Sequence, residues 1–444
     1  MNSLSTNWPS ARYIAHPPKA IVPLIIPNRY QYPLFVSIPS HRKKILFFLA
    51  IQFLAGLLFA LQSMAQPLLE TGGQKMPAEW IDKDTHHKMV RLTNEPGQNA
   101  SFYFHNNPFA GNTMVFYSTD SVRGKQLHTL DLQTKKIEQL TNFDRPMSGE
   151  ILGEKTRKVF YQIGDSILST HIDTKKTELV FVFPKDFRGN ITTVNADENL
   201  LGGVYSTEAE RELFKKNPAK SSYFNVIYEA KLPRTLFTVD IKTKQLKKLH
   251  TDSAWLNHVQ FSTTDPNILM FCHEGPWHKV NRIWTIDLKS GNIQLMHKRS
   301  MDMEIAGHEF FSRDGKQIWF DLQMPRSVTF FLAASDVQTR KEIKYALARD
   351  EWSIHFNQSP DQKIFAGDGG DSGQVAKAKN GMWIYLFRPQ GDKLVSEKLV
   401  NMKHHNYRLE PNVHFSPDGK WIIFRANFEG TQQVYAVEIE GAKK

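Results

Sequence analysis

A short motif that recurs along the chain restricts the fold more than any other feature of the sequence. An apolar stretch leads into Asp, an apolar residue, Lys or Gln, and then Thr or Ser, with the Asp at positions 131, 240, 287 and 336. The last three copies lie 47 and 49 residues apart. Because such a motif joins two strands through a polar turn, its period fits propeller blades, which repeat about every 40–50 residues.

A second motif, Ser-x-Asp, precedes apolar stretches in three repeats, at Ser312, Ser359 and Ser416. It predicts a further turn, and the two motifs together give about four short strands per repeat. We therefore predict an all-β fold, a seven-bladed β-propeller. The blades are predicted near residues 110–143, 145–185, 190–250, 255–298, 304–347, 352–401 and 412–441.

Two further elements follow from this fold. The last blade needs an N-terminal strand to remove its exposed edge, and residues 89–93 are the apolar stretch available for that purpose. A degenerate copy of the Asp motif occurs at Asp173, and the interval from there to Asp240 is longer than the others. It contains the charged, helix-prone residues 208–216, which we predict to be an inserted helix that caps one face of the propeller.

Residues 1–65 have the pattern of an N-terminal extension that ends in a signal peptide. A basic cluster at 41–44 precedes an apolar run at 45–61, and small residues, Ser63 and Ala65, follow. This pattern predicts cleavage after Ala65. An uncleaved membrane anchor is the alternative, because the run is nearly long enough to span a bilayer. Cleavage would leave one propeller domain, residues 66–444, periplasmic or secreted and without a membrane segment.

The charge of the chain indicates which partners to expect. The sequence has 56 Lys and Arg against 45 Asp and Glu, but six of the basic residues and none of the acidic ones lie in residues 1–65. The remaining chain therefore carries only about +5, without a basic tract, which argues against nucleic acid and suits a small acidic substrate. The single cysteine, Cys272, excludes an intramolecular disulfide and a zinc site made of several cysteines.

Polar residues occur at matched positions in three neighbouring repeats. His308 and His355 each stand shortly before a Ser-x-Asp turn, and Glu410, Asn412 and His414 take that place in the last repeat. Because the innermost strand of each blade lines the central channel, these side chains are predicted to converge at one mouth of it. Such ligands suit a divalent cation, Mn²⁺ or, if oxygen ligands dominate, Ca²⁺. The alternative for each histidine is a hydrogen bond that satisfies a strand end.

The repeat at 255–298 adds two more candidates. His273 and Glu274 end a strand just before a Gly-Pro turn, and Arg282 interrupts an otherwise strand-like run. A guanidinium there would point at the mouth and hold a carboxylate. A surface arginine beside a plain hairpin is the alternative. Asp368, in a glycine-rich stretch, fits a ligand contact and a flexible hairpin equally well, and we assign it no role.

At these residues the sequence resembles the oligogalacturonate lyases of polysaccharide lyase family 22. The resemblance extends from about residue 91 to residue 438. It is carried by residues 271–276 with Arg282 and Trp284, by residues 308–310, by His355 with residues 367–369, and by Trp255, Leu256 and His258. The resemblance implies a seven-bladed propeller that cleaves short uronic-acid oligomers by β-elimination.

The resemblance also implies roles for individual residues. His308 resembles the base that removes the proton at C5, Arg282 the assisting arginine, and His355 the first histidine ligand of Mn²⁺. His258, His273 and Glu274 are implied substrate contacts.

The last repeat departs from the family pattern of His-Pro-His-Pro-x-Phe. Residues 410–415 read Glu-Pro-Asn-Val-His-Phe, and Tyr407 stands where the family has a glutamine ligand. Glu410, Asn412 and His414 therefore complete the predicted metal set in a variant form, since all three can still bind a hard cation.

We therefore expect an enzyme, a carbon–oxygen lyase that cleaves oligogalacturonides from pectin into products with 4,5-unsaturated uronate ends. A histidine suits the base because its ordinary pKa is near neutrality, and a positive group would stabilise the charge that develops on the carboxylate. Two alternatives remain open. One is a non-catalytic propeller that binds a partner. The other is a lyase for another acidic glycan, such as rhamnogalacturonan fragments.

Overall fold

The computed structural model describes residues 66–440, where short β-strands make up most of the regular structure. The predicted all-β class is confirmed. The predicted N-terminal extension and signal peptide, residues 1–65, lie outside the described residues. Between residues 66 and 440, no helix is long and apolar enough to cross a membrane.

Most strands belong to seven antiparallel groups, which we number in chain order. Group 1 comprises Gln98–Ala100, Phe109–Ala110, Thr113–Asp120, Gly124–Asp131 and Ile137–Gln139. Group 2 comprises Ser148–Gly153, Lys158–Ile163, Ser166–His171 and Thr177–Val182. Group 3 comprises Gly189–Val194, Leu200–Ser206, Arg234–Asp240 and Leu246–Asp252.

The next three groups continue this pattern. Group 4 comprises Trp255–Phe261, Ile268–Glu274, Ile283–Asp287 and Ile293–Leu295, with a 3-10 turn at Trp277–Lys279. Group 5 comprises Ile305–Phe311, Gln317–Gln323, Phe330–Asp336 and Glu342–Leu347, followed by a 3-10 turn at Arg349–Glu351. Group 6 comprises Phe356–Gln358, Phe365–Gly367, Trp383–Gln390 and Lys393–Asn401. One parallel pair, Ala346 with Lys393, connects groups 5 and 6.

Group 7 joins the two ends of the described chain. Its strands are His414–Phe415, Trp421–Ala426, Gln433–Glu438 and Lys88–Arg91, and Glu79–Asp82 and Leu68–Leu69 extend the sheet outward. Met89 pairs with Val437, and Val90 pairs with Ala436. The prediction that residues 89–93 supply the closing strand is confirmed, because this strand covers the otherwise open edge of the C-terminal hairpin.

The recurring Asp motif works through its own side chain. Asp131 Oδ1 accepts hydrogen bonds from the backbone N–H groups of Gln133 (3.0 Å) and Thr134 (2.7 Å), and Lys135 then turns the chain with φ 61°. The copies that begin at Asp240 and Asp336 make the same bonds. The motif recurs because the hairpin between the last two strands of groups 1, 3, 4 and 5 is closed by this side-chain-capped turn.

An insertion between the second and third strands of group 3 forms two helices, α1 (Glu208–Lys216) and α2 (Lys220–Ala230). The predicted helix at 208–216 is confirmed, whereas α2 was not predicted. Buried Glu210 on α1 pairs with the Arg234 guanidinium, which fixes the insertion to its own group. Aromatic side chains of both helices surround Trp255, so the insertion also packs against the start of group 4.

The largest buried apolar cluster lies in groups 5, 6 and 7. Trp80 and Met89 from the N-terminal strands have no exposed surface there and share the cluster with Phe356 and Phe424. Trp80 Nε1 donates to Thr71 Oγ1 (2.9 Å), so its one polar atom is satisfied. The N-terminal strands are therefore part of the core rather than an appendage to it.

Met89→Ala should lower the free energy of unfolding by about 2–5 kcal/mol, because it empties a fully buried site on the strand that completes group 7. Leu68→Ala is the matched control, since Leu68 is 56% exposed. It should change the free energy of unfolding by less than about 0.5 kcal/mol. Urea unfolding followed by tryptophan fluorescence measures both variants, and equal effects would contradict a closing role for this strand.

Candidate active site

Local backbone distortions occur at three of the predicted site residues. The first strands of groups 4 and 5 each contain a β-bulge, between Asn257 and Gln260 and between Gly307 and Phe310. His258 (φ 47°) and His308 (φ 50°) sit in these bulges in the left-handed region, and Asn412 (φ 53°) has the same conformation just before group 7 begins. Non-glycine residues pay a conformational cost there, which concentrates such positions at functional sites.

His308 forms a hydrogen-bonded pair with a carboxylate from the next strand. Its Nδ1 lies 2.8 Å from Asp321 Oδ1, and Asp321 also accepts from Trp352 Nε1 at 3.3 Å. Burial lowers the pKa of His308, but the Asp321 carboxylate outweighs burial, and the net pKa lies above its usual value. His308 Nε2 makes no hydrogen bond within residues 66–440, so this nitrogen is available to a ligand.

Arg282 is buried and paired with two carboxylates. Its Nη1 donates to Glu274 Oε1 (2.8 Å), while Nε and Nη2 donate to Glu309 at 3.0 and 3.3 Å. All three residues are at most 6% exposed. The structure therefore differs from the predicted guanidinium that reaches a substrate at the mouth, because the charge of Arg282 is already balanced and shielded from solvent.

His258 joins this ion cluster from the solvent side. Its Nε2 lies 3.2 Å from Glu274 Oε2, and about a third of its side chain is exposed. Within the described chain, His258, Cys272 and Glu274 form the group whose potential ligand atoms all lie within 4.8 Å of one another. It is a poor cation site, because burial raises the pKa of the Cys272 thiol and the Arg282 guanidinium already occupies Glu274.

His273 does not take part in this arrangement. It precedes Glu274 on the same strand, so its side chain points to the opposite face of the sheet. There its ring stacks on Trp284, with ring centroids 4.7 Å apart. The predicted substrate contact from His273 is therefore not brought together with the other site residues.

His355 forms a second histidine–aspartate pair, with Asp368. His355 Nδ1 lies 2.8 Å from Asp368 Oδ2, and neither side chain has exposed surface. Burial lowers the pKa of His355 and raises the pKa of Asp368 to about 7. A neutral imidazole that donates from Nδ1 keeps a lone pair on Nε2, which here lies 3.2 Å from the Tyr103 hydroxyl.

The predicted metal ligands differ in their hydrogen bonds. His355 Nε2 and Glu410 Oε2 lie 3.8 Å apart, a spacing that suits two ligands of one ion. Asn412 Oδ1 instead accepts from the backbone N–H of Phe104 (2.9 Å), and His414 Nε2 lies 3.1 Å from the Phe102 carbonyl oxygen. His355 Nε2 and Glu410 therefore form one candidate pair of ligands. Asn412 Oδ1 already accepts a backbone hydrogen bond, and His414, which donates from Nε2, keeps only Nδ1 for a ligand.

That backbone belongs to residues 102–107, a segment that sequence analysis missed. Phe104 stacks on His355 with centroids 4.5 Å apart, and Tyr103 contacts the same ring from its edge. Burial lowers the pKa of His105 to about 3, so its ring is neutral. The segment thus covers the inner side of the His355 site with aromatic and neutral groups.

Two cavities meet at this segment, and both are lined by His105 and Asn106. The first, the Arg425 cavity, has a volume of about 360 Å³ and is also lined by Tyr103, Tyr117, Lys125, His258 and Arg425. The second, the Arg313 cavity, has a volume of about 660 Å³ and includes Phe310, Arg313 and His414. The predicted ligand His414 thus faces a different cavity from His258.

Sequence analysis missed the carboxylates that orient the two histidines. Asp321 stands in the apolar run Trp-Phe-Asp-Leu, where a charged residue on a strand buried on both faces is itself a signal. Asp368 receives no role from the sequence because its glycine-rich surroundings fit a flexible hairpin equally well. Residues 102–107 carry no such sequence signal, because no local pattern indicates that this segment packs against His355.

Comparison with known proteins identifies relatives of the whole folded region. A family model described as oligogalacturonate lyase matches residues 73–442. The oligogalacturonate lyase of Dickeya dadantii is 23% identical over 380 residues, which cover 81% of this chain and 95% of that protein. The oligogalacturonide lyase of Pectobacterium atrosepticum is 22% identical over 332 residues, with 70% and 82% coverage.

Solved structures agree with this grouping. An oligogalacturonate lyase in complex with manganese superposes with a TM-score of 0.71 at 22% identity, covering 85% of this chain and 99% of that chain. The oligogalacturonate lyase from Vibrio parahaemolyticus gives a TM-score of 0.70 at 21% identity, with 86% and 100% coverage. These two similarities show a shared fold. Because the family model spans most of the sequence, the chain belongs to the oligogalacturonate lyase family.

Proposed function

We propose that this chain cleaves oligogalacturonides by β-elimination and releases products with a 4,5-unsaturated uronate at the new non-reducing end. The observation that carries the proposal is the His308–Asp321 pair, which holds a histidine with a free Nε2 beside the His355–Asp368 pair. Family membership supports the same reaction, as do the names of the Dickeya and Pectobacterium relatives.

His308 is the base in this proposal. Its Nδ1–H donates to Asp321, so the lone pair on Nε2 takes the proton from C5 of the uronate. The electrons of that C–H bond form the C4–C5 double bond, the bond from C4 to the glycosidic oxygen breaks, and the leaving oxygen takes a proton from solvent. Asp321 acts as a positioning residue, because it selects the tautomer with a free Nε2.

A divalent cation belongs to the proposal, and the manganese complex of the structural relative supports Mn²⁺. His355 Nε2 and the Glu410 carboxylate would hold it, and the bound ion would supply positive charge to the substrate carboxylate. Asp368 keeps the lone pair of His355 on Nε2. Ca²⁺ suits the pair less well, because one of its two donors is an imidazole.

Arg282 assists in a different way from the one predicted. Its ion pairs hold Glu309, the residue that follows His308, and Glu274, which faces His258. Arg282 therefore fixes the two bulged strands that carry His258 and His308. In the proposed reaction Arg282 positions the base and does not touch the substrate. His258 is the residue of this ion cluster that lines the Arg425 cavity.

The seven strand groups are proposed to be the seven blades of a propeller. The closing pair between Lys88–Arg91 and Gln433–Glu438 supports this arrangement, since a propeller commonly ends in such a shared sheet.

We further propose that a signal peptide is removed after Ala65, so that the mature domain, residues 66–444, is periplasmic or secreted. The basic and apolar stretches at 41–61 support this processing.

The altered last repeat leaves a second substrate to be tested. Because Asn412 bonds to the backbone, the ion would have fewer protein ligands than the predicted set provides. A lyase for another acidic glycan, such as rhamnogalacturonan fragments, is the alternative that this change leaves open. Rhamnogalacturonan fragments are therefore a second substrate in the activity assay.

His308→Ala should lower kcat on saturated oligogalacturonides with Mn²⁺ by about 10²–10⁴-fold, since it removes the base. The ultraviolet absorbance of the conjugated product follows the reaction. His278→Ala is the control, because His278 lies on a turn outside the His308 pair. Full activity of His308→Ala would refute the base assignment. Wild-type protein that acts only on rhamnogalacturonan fragments would move the proposal to that substrate.

Asp321→Asn should lower kcat by about 10²-fold or more and change KM little, because an amide can stabilise the tautomer with a proton on Nε2. Asp314→Asn is the matched control, since Asp314 caps a turn through Ser312 away from the histidines. Initial rates over a range of substrate concentrations separate kcat from KM. A similar fall in both variants would indicate a general loss of structure instead of a positioning role.

Glu410→Gln should reduce the Mn²⁺ that remains bound after gel filtration, because it replaces a charged ligand by a neutral one. Elemental analysis of the eluted protein measures metal without reference to activity. Glu154→Gln is the control, since Glu154 lines the Arg313 cavity. Metal content that equals the wild type would remove Glu410 from the ligand set and leave the base assignment intact.

A further inference from the structure

Arg425 differs from Arg282 in having no carboxylate partner. It lies on the Trp421–Ala426 strand of group 7 and is partly exposed. Its Nε donates to the Glu410 carbonyl oxygen (2.8 Å), and Nη1 donates to the Ser101 carbonyl oxygen (3.3 Å) and to the Tyr117 hydroxyl (3.0 Å). Across residues 66–440 no acidic side chain is within ion-pair distance of it, and its Nη2 makes no hydrogen bond there.

The surroundings of Arg425 leave that positive charge uncompensated. Lys125 shares the cavity but is neutralised by Glu150, with Nζ and Oε1 2.7 Å apart. The three bonds to neutral acceptors hold the guanidinium in a fixed orientation without balancing its charge.

The Arg425 cavity has the size and lining of a sugar site. Its volume of about 360 Å³ lies in the range of small-molecule sites, about 300–1,000 Å³. The aromatic rings of Tyr103 and Tyr117 contribute to its wall, and the amides of Asn106 and Asn257 offer donors and acceptors for hydroxyl groups. Tyr103, whose hydroxyl lies 3.2 Å from His355 Nε2, and His258, which contacts Glu274 of the ion cluster, border the same space, so the cavity adjoins the proposed catalytic centre.

We propose that Arg425 binds the carboxylate of a second uronate residue, and that the Arg425 cavity is the subsite for the sugar next to the one at His308. This inference rests on the proposed function, since it names how that site selects its substrate. Arg282 cannot serve in this way because Glu274 and Glu309 neutralise it. The chain therefore prefers oligomers in which the neighbouring residue carries a free carboxylate, and methyl esterification of that residue weakens binding.

The test compares Arg425→Gln with a matched arginine on the other side of residues 102–107. Arg313 lines the Arg313 cavity and has no part in the proposed subsite, so Arg313→Gln is the control. Trigalacturonate and its methyl ester are titrated into each protein in a His308→Ala background, which binds without turnover. Calorimetry gives Kd, and the same substitutions in active protein give KM and kcat.

Arg425→Gln should weaken trigalacturonate binding about 10- to 100-fold and abolish most of the preference over the ester, while Arg313→Gln changes Kd less than about twofold. Arg425→Lys keeps the charge and should recover part of the affinity, and unchanged thermal unfolding of each variant confirms folding. An Arg425→Gln protein that binds the acid and the ester as the parent does would overturn the subsite.

The two proposals fail in different ways. If the wild type cleaves oligogalacturonides and Arg425→Gln keeps the parental KM and Kd, the lyase assignment stands and the subsite is wrong. If the wild type produces no absorbance increase, the proposed reaction is wrong, and the calorimetric comparison still decides whether Arg425 binds a uronate carboxylate.

Discussion

Three charges buried between groups 4 and 5 control the geometry of the site. Arg282 bonds to Glu274 on its own group and to Glu309 on the next one, and burial of any of the three alone would be strongly unfavourable. Glu309 follows His308 directly, and Glu274 faces His258. The ion cluster therefore fixes the two bulged strands relative to each other, and the position of the proposed base depends on it.

His308 and His355 each bond to an aspartate through Nδ1, but their surroundings differ. His308 is partly exposed and keeps a raised pKa through Asp321, whereas burial lowers the pKa of His355 beside Asp368. A partly exposed imidazole with a carboxylate partner suits proton transfer, and a fully buried neutral imidazole suits a ligand to a cation. One pair of residue types thus supports two roles, because the depth of burial differs.

Some features of this protein could be predicted from the sequence and others could not. The repeats, the turns, the closing strand and the helix at Glu208–Lys216 could be predicted because each depends on local hydrogen bonds or on apolar patterning. The family was also recognised from the sequence, through motifs around His308 and Arg282. The environment of Arg282 could not be predicted, because a sequence motif does not report which charges surround a guanidinium.

The last repeat illustrates the same limit. Asn412 and His414 are reasonable metal ligands by residue type, yet Asn412 Oδ1 and His414 Nε2 bond to the backbone of Phe104 and Phe102, about 310 residues earlier. The sequence by itself determined the strand repeats, the turns and the family, since these depend on neighbours in the chain. Only the tertiary structure decided which arginine keeps a free charge and which histidine meets a cavity, because those properties arise from side chains that distant segments bring into contact.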